Sequence, residues 1–318
     1  MGSGVAAGAQ PRPKTGLASA LMLLTTFFWA GNIVAGKMAL AGFSPLALAQ
    51  LRMGAAAILY GALFIAWHGF PSLHLTRRQW LSLILMGLTG ITLNQICYIG
   101  GLARTSVTHT GLIQAAGPVI VLLLAGMMKL ETLTLGKILG MAISFLGVAV
   151  LLVEKPPHGS GAHWQGDLIL LAASGFFAYY TILMKEVANV YDTLTLNTLV
   201  FGVGAVLLIP FCARPVSEVN WRRVPPHAWW GLAFMVLFAS LIAYLIYGFA
   251  LQELSASFVA AFSYLQPIMA AALGVWLLGE KISGGAVLGG ILILLGVYLT
   301  EAKRTEKKHI RHLASGKV

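Results

Sequence analysis

Charged residues are scarce in this sequence, and their scarcity excludes most soluble folds. Only 10% of the 318 residues are charged, whereas 58% are hydrophobic and the mean hydropathy is +0.84. Charged residues make up about 25% of a typical soluble domain. The composition therefore indicates an integral membrane protein rather than a chain of soluble domains.

Cysteine is rarer still, and the motifs of common catalytic sites are missing. The two cysteines, Cys97 and Cys212, lie in or at the end of apolar runs and belong to no CxxC or Cys/His spacing. No disulfide framework and no metal site is predicted. The sequence also has no HExxH, no GxSxG and no suitable Ser/His/Asp set, which disfavours an intramembrane enzyme. No cofactor is predicted.

Acidic residues are absent from the middles of the apolar segments. All ten fall at segment ends, in connections or in the C-terminal tail, so no Asp or Glu is expected at mid-membrane depth to bind a proton or a sodium ion. The 21 basic residues give a net charge of +11 and also gather at segment ends and in the tail. Basic residues in these places orient a membrane protein, and nucleic acid is not expected as a partner.

About ten apolar segments follow one another, each of about 20 residues, the length that a helix needs to cross about 30 Å of hydrocarbon. In chain order, helices 1 to 10 are predicted over residues 17–40, 44–67, 79–101, 107–129, 134–153, 167–188, 193–213, 227–250, 255–278 and 283–302. The predicted organisation is an N-terminal tail (1–16), a five-helix unit (17–153), a connecting loop (154–166), a second five-helix unit (167–302) and a basic tail (303–318).

The second unit repeats the first at a constant offset of 149 residues. Without a gap, this offset places Ser106 on Ser255, Pro118 on Pro267, Glu131 on Glu280, Gly140 on Gly289, Gly147 on Gly296, Trp80 on Trp229 and Tyr98 on Tyr247. Because each unit has five helices, the second enters the membrane from the opposite side. The predicted fold class is all-α, with ten transmembrane helices in two inverted repeats. Such repeats are the physical basis of alternating access in secondary transporters.

The distribution of Lys and Arg predicts that both termini are cytoplasmic. With the N-terminus inside, 13 of these residues lie on the inner side and 7 on the outer side, and Arg52 lies inside helix 2. Cytoplasmic segments carry such an excess of positive charge. We therefore predict a multipass protein of the cytoplasmic membrane of a bacterium, in contact with lipid.

Glycines at helical spacing predict two packing seams, one in helix 5 and one in helix 10. Small residues on one face let helix backbones approach closely. The glycines are Gly136, Gly140 and Gly147 in helix 5, and Gly285, Gly289 and Gly296 in helix 10.

Thr110, Gln114 and Pro118 are spaced four residues apart on one face of helix 4, so a strip of polar side chains ends at a proline in the middle of this helix. Pro118 removes a backbone N–H, so the carbonyl of Gln114 loses its helical partner, and Pro267 does the same to Ser263 in helix 9. A free carbonyl at mid-membrane depth must bind protein, water or a ligand. A packing kink satisfied by a neighbouring helix would explain one proline, but the matched pair favours a central cavity.

Further polar and aromatic residues lie deep enough to face such a cavity. They are Trp29 and Asn32 in helix 1, Asn94 and Tyr98 in helix 3, Tyr179 and Tyr180 in helix 6, Tyr244 and Tyr247 in helix 8, and Tyr264 and Gln266 in helix 9. A single tyrosine is more often a packed aromatic residue with a satisfied hydroxyl. As a set, they predict aromatic walls with a few hydrogen-bonding groups, which suit a small amphipathic molecule.

Two ionisable residues within the helices are candidates for function. Arg52, about two turns into helix 2, could attract a carboxylate, although it could also snorkel to the interface or bond helix-end carbonyls. His109, near the start of helix 4, is the one histidine clearly inside a predicted span, and it could bind a proton.

The chain resembles the EamA family of the drug/metabolite transporter superfamily. The resemblance is carried by FFWAGN (27–32) in helix 1, LRMGAAA (51–57) in helix 2, the prolines of helices 4 and 9, and GEKIS (279–283) before helix 10. It implies export, less often uptake, of small metabolites such as amino acids, cytoplasmic termini, and a cavity lined by helices 1, 3, 4, 6, 8 and 9. The first repeat departs from the pattern, because LETLTLGK (130–137) keeps Glu131 without a preceding glycine.

The sequence thus predicts a secondary transporter that exports small polar or amphipathic metabolites by alternating access. A membrane sensor or scaffold that transports nothing stays open as an alternative, as does, less favoured, an intramembrane enzyme. The expected partners are a small-molecule substrate and membrane lipid, and a homo-oligomer is left open.

Overall fold

All regular structure in the described residues is helical. The computed structural model describes residues 15–69, 76–129, 132–153, 163–187, 191–253 and 262–314. The predicted N-terminal tail lies outside these residues except for its last two positions, and so does most of the predicted connecting loop.

In the described ranges, ten helical segments follow one another in the predicted order. Six are uninterrupted: helix 1 (Thr15–Ala39), helix 2 (Pro45–His68), helix 5 (Leu135–Val153), helix 6 (His163–Val187), helix 7 (Thr193–Ser217) and helix 10 (Gly284–Ala314). Four are built from pieces: helix 3 (Arg77–Met86, Gly87–Leu93, Asn94–Leu102), helix 4 (Val107–Ala115, Gly117–Met127), helix 8 (Pro226–Phe234, Met235–Ile242, Ala243–Glu253) and helix 9 (Phe262–Tyr264, Leu265–Leu278).

Eight of these helices are long and apolar enough to cross a membrane, and Leu265–Leu278 and Gly284–Thr300 are shorter apolar helices. The all-helical membrane fold is therefore confirmed. Helix 10 continues to Ala314, well beyond its predicted end at residue 302. The sequence there is rich in Glu, Lys, Arg and Ala, which have high helix propensity, so the helix outlasts its apolar part.

Side-chain caps fix where several helices begin. Ser44 accepts a hydrogen bond from the N–H of Ala47, and Pro45 takes the first helical position, where no N–H is needed. Asp192 caps helix 7 by accepting hydrogen bonds from the N–H groups of Leu194 and Thr195. Partial burial raises the pKa of Asp192, but the hydrogen bond from the Thr195 hydroxyl, the two backbone hydrogen bonds and the nearby His68 together lower it more, so this pKa lies below its ordinary value.

The seam between helices 5 and 10 shows the symmetry of the repeats directly. A Cβ atom added at Gly140 would lie 2.7 Å from the carbonyl oxygen of Gly296, and one added at Gly147 would lie 2.6 Å from that of Gly289. Adding 149 to Gly140 gives Gly289, and subtracting it from Gly296 gives Gly147. The first contact thus becomes the second with its partners exchanged, as a twofold relation requires.

The other helix pairs obey the same exchange. Helix 2 packs against helix 7, helix 1 packs along helices 8 and 9, and helix 6 packs along helices 3 and 4. Exchanging helix 1 with 6, 3 with 8 and 4 with 9 turns each contact of helix 1 into a contact of helix 6, and exchanging helix 2 with 7 leaves their mutual contact unchanged. The two inverted repeats therefore form one interlocked bundle.

The interruptions of the helices also recur at matched positions. Gly87–Leu93 in helix 3 and Met235–Ile242 in helix 8 are both π-helical, and the offset of 149 places the first segment on residues 236–242. Segments of π-helix widen the helix and redirect its carbonyls, frequently at functional sites. Helix 4 is interrupted at Ala116, and the offset places this residue on Leu265, where the α-helical part of helix 9 begins.

Candidate functional site

Arg52 lies inside the bundle and joins the two repeats. Its side chain is almost completely buried, because the residue is only 4% exposed. The Nε atom donates to Ser240 Oγ of helix 8 at 3.0 Å, and a terminal nitrogen donates to Gln95 Oε1 of helix 3 at 3.1 Å. The guanidinium also lies 6.0 Å from the centre of the Tyr98 ring. Arg52 thus bonds side chains of both repeats instead of snorkelling to an interface.

A chain of amides continues from Arg52 into helix 6. Gln95 Nε2 donates to Asn94 Oδ1 at 2.9 Å, and Asn94 Nδ2 donates to the carbonyl of Ala173 at 2.9 Å. Both side chains are buried. Because a buried polar group costs free energy unless it has a partner, this chain is stabilised by being complete.

A second chain of polar side chains runs through helices 1, 3, 4 and 9. Asn32 Nδ2 donates to the Tyr98 hydroxyl at 2.8 Å, and Gln266 Nε2 donates to Gln114 Oε1 at 3.1 Å. The Tyr98 hydroxyl is also within hydrogen-bonding reach of the Gln114 side chain. We call the residues of both chains, together with Ser240, the central network; its members are Asn32, Arg52, Asn94, Gln95, Tyr98, Gln114, Ser240 and Gln266.

One acceptor of the central network has no hydrogen-bond partner in the structure. The Oδ1 atom of Asn32 is buried and unpaired, although its amide nitrogen is satisfied by Tyr98. Native proteins leave few buried polar atoms unsatisfied, and such an atom is often the place of a water molecule or a ligand. A ligand donor placed next to Asn32 and Tyr98 would complete this hydrogen bonding.

Aromatic residues form a cluster beside the central network. The ring of Trp29 lies 6.0 Å from that of Tyr244 and 5.5 Å from that of Tyr247. Phe201 of helix 7 continues the cluster, 5.4 Å from Tyr244 and 4.9 Å from Tyr60. These rings from helices 1, 2, 7 and 8 provide an apolar surface, and Tyr244 is close enough to Arg52 to interact with its charge.

Three further predicted site residues, Tyr179, Tyr180 and Tyr264, pack in the main hydrophobic core. Tyr179 and Tyr264 are partly buried and pack against the main hydrophobic core. Tyr180 is buried at 4% exposure, with its ring against Gly90. The side chain of Ser263 lies outside the described residues.

The two helix prolines stand next to the interruptions of their helices. Pro118 is the second residue of Gly117–Met127, and the Ala116 N–H before it donates to the Ile113 carbonyl at 3.1 Å in a tightened turn. Pro267 is the third residue of Leu265–Leu278 and follows the 3₁₀ turn Phe262–Tyr264. Gln114 therefore lies in the turn just before the interruption of helix 4.

Comparison with known proteins identifies the family. The model of the EamA-like transporter family matches residues 16–153 and again 164–301, so that it covers both repeats. The chain belongs to the EamA-like transporter family. The predicted family is thereby confirmed, and the protein is a membrane transporter by class.

Relatives of this EamA-like transporter cover nearly its whole length. An uncharacterized transporter of Archaeoglobus fulgidus is 31% identical over 289 residues, which are 89% of this chain and 97% of the relative. A probable terminal-alkyne amino-acid exporter of Streptantibioticus cattleyicolor is 27% identical over 278 residues, 87% of this chain and 91% of the relative. A solved crystal structure shares the fold with a TM-score of 0.60 at 18% identity, covering 89% of this chain and 98% of the other.

The sequence analysis of this EamA-like transporter did not predict several residues that form hydrogen bonds in or next to the central network. Gln95 was visible as a polar residue inside an apolar run, next to Asn94. Ser240 and Tyr60 carried no such signal, since their roles depend on the π-helical segment of helix 8. There Ser240 Oγ accepts from Arg52, and the Tyr60 hydroxyl donates to the carbonyls of Ser240 and Leu241 at 2.9 and 3.1 Å.

Glu280 links the two repeats at the start of helix 4. Its carboxylate accepts hydrogen bonds from the N–H groups of Val107 at 2.7 Å and Thr108 at 3.1 Å, and from the Thr108 hydroxyl at 2.9 Å. A carboxylate at a helix N-terminus satisfies free N–H groups and interacts favourably with the helix dipole. The GEKIS sequence of the second repeat thus caps a helix of the first.

The described residues of the site do not include a set of metal ligands. Within the described ranges, no group of three or more His, Cys, Asp or Glu side chains is placed to hold a metal ion. The chemistry that the central network can perform is hydrogen bonding and charge attraction.

Proposed function

We propose that this transporter exports small amphipathic metabolites, amino acids or related compounds, by alternating access. The observation that carries the proposal is the central network, which joins side chains of helices 1, 2, 3, 4, 8 and 9 and reaches a carbonyl of helix 6. A molecule bound in this network would touch both repeats at once.

The symmetry of the bundle supports alternating access. In a transporter of inverted repeats, exchanging the conformations of the two halves opens the site to the other side. Here Arg52 bonds Gln95 in the first repeat and Ser240 in the second. Gln114 likewise bonds Gln266 across the repeats. These bonds are few and exchangeable, so a substrate can replace them with little loss.

The charge of Arg52 supports a substrate with a carboxylate. Both of its hydrogen-bonded side chains, Gln95 and Ser240, are neutral, so the positive charge has no anionic hydrogen-bond partner among the described residues. A carboxylate that replaced them would form hydrogen bonds in which both partners are charged, and it could accept two parallel bonds from the guanidinium. The name of the relative from Streptantibioticus cattleyicolor, a probable amino-acid exporter, points to the same substrate class.

The aromatic cluster supports an apolar part in the same substrate. Tyr244 and Tyr247 each lie within ring-contact distance of Trp29, and Tyr244 is close enough to the guanidinium to interact with its charge. The carboxylate and the apolar side chain of an amino acid would then contact opposite sides of one site. Trp29, Asn32, Arg52, Tyr98 and Gln114 are the residues that we expect to contribute most.

The proposal includes an orientation and a place in the cell. Both termini lie in the cytoplasm of a bacterium, residues 17–153 and 167–302 form the two repeats, and the loop that contains Glu280 faces outward. The charge bias of 13 inner against 7 outer Lys and Arg residues supports this orientation.

An efflux screen tests the proposal. Bacterial cells that overexpress the wild type, Arg52→Gln or the control Arg214→Gln are compared for metabolites released into the medium. Arg214 is a suitable control because its side chain is 88% exposed. We expect one or a few carboxylate-bearing compounds to be released by the wild type and by Arg214→Gln, and to a much smaller extent by Arg52→Gln.

Pro267→Ala is a second variant for the screen, because it restores a backbone N–H near the interruption of helix 9 and should impair release. If the wild type releases nothing beyond an empty-vector control, and reconstituted vesicles exchange no amino acid of a broad panel, the export function is refuted. A sensor or scaffold role would then be the better account.

A further inference from the structure

His109 and Asp167 form a buried acid–base pair between the repeats, about one and a half turns of helix 4 before Gln114. The His109 Nδ1 atom lies 2.9 Å from Asp167 Oδ2 of helix 6, and the Thr105 hydroxyl donates to Asp167 Oδ1 at 2.6 Å. The side chain of Asp167 is 0% exposed and that of His109 only 8%. Both carboxylate oxygens of Asp167 are therefore engaged, and one of their partners can ionise.

The total charge of this pair depends on a single proton. With a neutral imidazole and an ionised Asp167 the pair carries one negative charge, and with an imidazolium it is neutral. A net charge buried in protein is far less favourable than a hydrated one. The protonated pair is therefore favoured while helices 4 and 6 stay in contact, and the deprotonated pair is favoured when water reaches it.

The ionisable groups around the pair can be named for the described residues. Glu280 caps helix 4, and its charge interacts with that of Lys37 in helix 1. Arg104 contacts Gly166 through its backbone and Cβ atom, while the residue as a whole is exposed. Other titratable groups on described parts of the helices packed against helices 4 and 6 are Arg77, Arg78, Cys97, Tyr98, Lys137, Tyr179, Tyr180, Tyr264 and Tyr298. None of these side-chain types ordinarily changes its charge between pH 5 and 8, whereas histidine does.

We propose that His109 and Asp167 form a proton-binding site that links the protonation of the pair to the contact between helices 4 and 6. Helix 4 belongs to the first repeat and helix 6 to the second, so this contact is one that rocking of the repeats must alter. The role in transport rests on the proposed alternating access. A proton on the pair favours the joined arrangement, and its release to water at the starts of helices 4 and 6 favours separation.

The sequence analysis named only His109 as a candidate proton-binding residue, and the structure shows that Asp167 is its partner. Asp167 was counted among the acidic residues at helix ends, since it is the fifth residue of helix 6. Its position at a helix end does not expose it, because the ends of helices 3 and 4 cover it.

Proton binding is tested without substrate by histidine NMR. The full-length protein with ¹⁵N-labelled histidine rings is placed in lipid nanodiscs and titrated from pH 5 to 9. Among the titrating ring signals, we expect one that is missing in His109→Gln and retained in the control His227→Gln, in which the replaced residue is exposed. Asp167→Asn should lower the midpoint of that signal by about one pH unit or more, because the carboxylate that stabilises the imidazolium is gone. A His109 ring that keeps one charge state throughout overturns the proposal.

The link to helix contact is tested by hydrogen exchange at the start of helix 4. After correction for the intrinsic pH dependence, wild-type protection should fall about tenfold or more from pH 5.5 to 8.5. Asp167→Asn leaves a neutral pair and should stay protected at both pH values, whereas His109→Gln leaves a buried carboxylate with no imidazolium beside it and should be less protected at both. Equal protection in all three proteins at both pH values overturns the link.

Two features keep these tests decisive. If Asp167→Asn does not fold, Asp167→Glu keeps a carboxylate and should retain the titration of His109. No transported compound is present in either measurement, so a failed efflux screen refutes export without changing these results, and a missing titration refutes the proton site without refuting export.

Discussion

Arg52→Gln is expected to weaken the binding of a carboxylate-bearing substrate much more than that of a neutral analogue. Glutamine keeps a hydrogen-bonding side chain in the same place but removes the charge. In the structure two guanidinium nitrogens are engaged, at 3.0 Å with Ser240 and at 3.1 Å with Gln95. The neutral side chains of Ser240 and Gln95 can form hydrogen bonds with a glutamine as well as with an arginine. The Arg52→Gln variant should therefore retain most of its fold.

The size of the effect follows from the two hydrogen bonds that a carboxylate would take over. A hydrogen bond to a charged group contributes about 1.5–3 kcal/mol, and a neutral one about 0.5–1.5 kcal/mol. Glutamine cannot reproduce the two positively charged donors of the guanidinium, and losing one hydrogen bond to the carboxylate costs about 1.5–3 kcal/mol, which corresponds to a rise in KM of roughly 10- to 150-fold. A carboxamide of the same compound lacks the negative charge, and its KM should change only a few-fold.

The assay compares transport of an amino acid from the efflux screen with that of its carboxamide, in vesicles containing wild type, Arg52→Gln or Arg214→Gln. Arg214 pairs with Glu218 on the exposed end of helix 7, and its replacement should leave both KM values unchanged. An equal rise for the acid and the amide in Arg52→Gln, or the loss of folded protein, would show that Arg52 is structural and does not bind the substrate.

Three further predictions follow from the fold and the network. Reporter fusions after Gly16 and Lys303 should both report a cytoplasmic location, and opposite locations would mean an odd number of spans. Gln114→Ala should weaken substrate binding by about 1–3 kcal/mol, measured as Kd, if it leaves a substrate group unpaired; unchanged Kd and unchanged substrate preference would exclude it from the site. Gly289→Ala should lower Tm, because its Cβ would lie 2.9 Å from the Gly147 carbonyl oxygen, whereas Gly175→Ala, with nothing within 4 Å, should raise Tm through better helix propensity. A rise in Tm for both would contradict the close packing of helices 5 and 10.

The repeat explains why so much of the fold could be predicted from the sequence. Helix number and type follow from apolar length, and the matched glycines of helices 5 and 10 carry the twofold relation in the sequence itself. Gly140 and Gly289 could be recognised as packing positions because only small residues allow backbones to approach so closely. Their contact partners, however, depend on how two helices align, which a periodic pattern does not determine.

The π-helical segments could not be predicted for the same reason. In helix 3 the Thr92 hydroxyl donates to the Gly87 carbonyl five residues earlier and to the Gly204 carbonyl of helix 7. The widened turn is thus stabilised by a contact with another helix, so local propensity carries no signal of it. The partners of Arg52 depend on these segments, since Ser240 lies within one and Gln95 is the second residue after the other.

Depth along a helix proved a poor guide to burial for acidic residues. Asp167 stands at a helix end, where the sequence predicts access to water, yet neighbouring helix ends enclose it. Pairing with His109 and Thr105 requires three helix ends to meet, which the sequence of no single helix encodes.

Accessibility of a cysteine at position 114 tests the central claim most directly. In a Cys97→Ala, Cys212→Ala background, Gln114→Cys is treated with an impermeant thiol reagent from each side of the membrane, with and without a saturating substrate from the efflux screen. Ser263→Cys serves as the counterpart in the second repeat. If the two repeats expose one central site alternately, position 114 should react from both sides and be protected by substrate from either. A cysteine that is unreactive from both sides in every state, or equally reactive with and without substrate, would contradict a central site between the repeats.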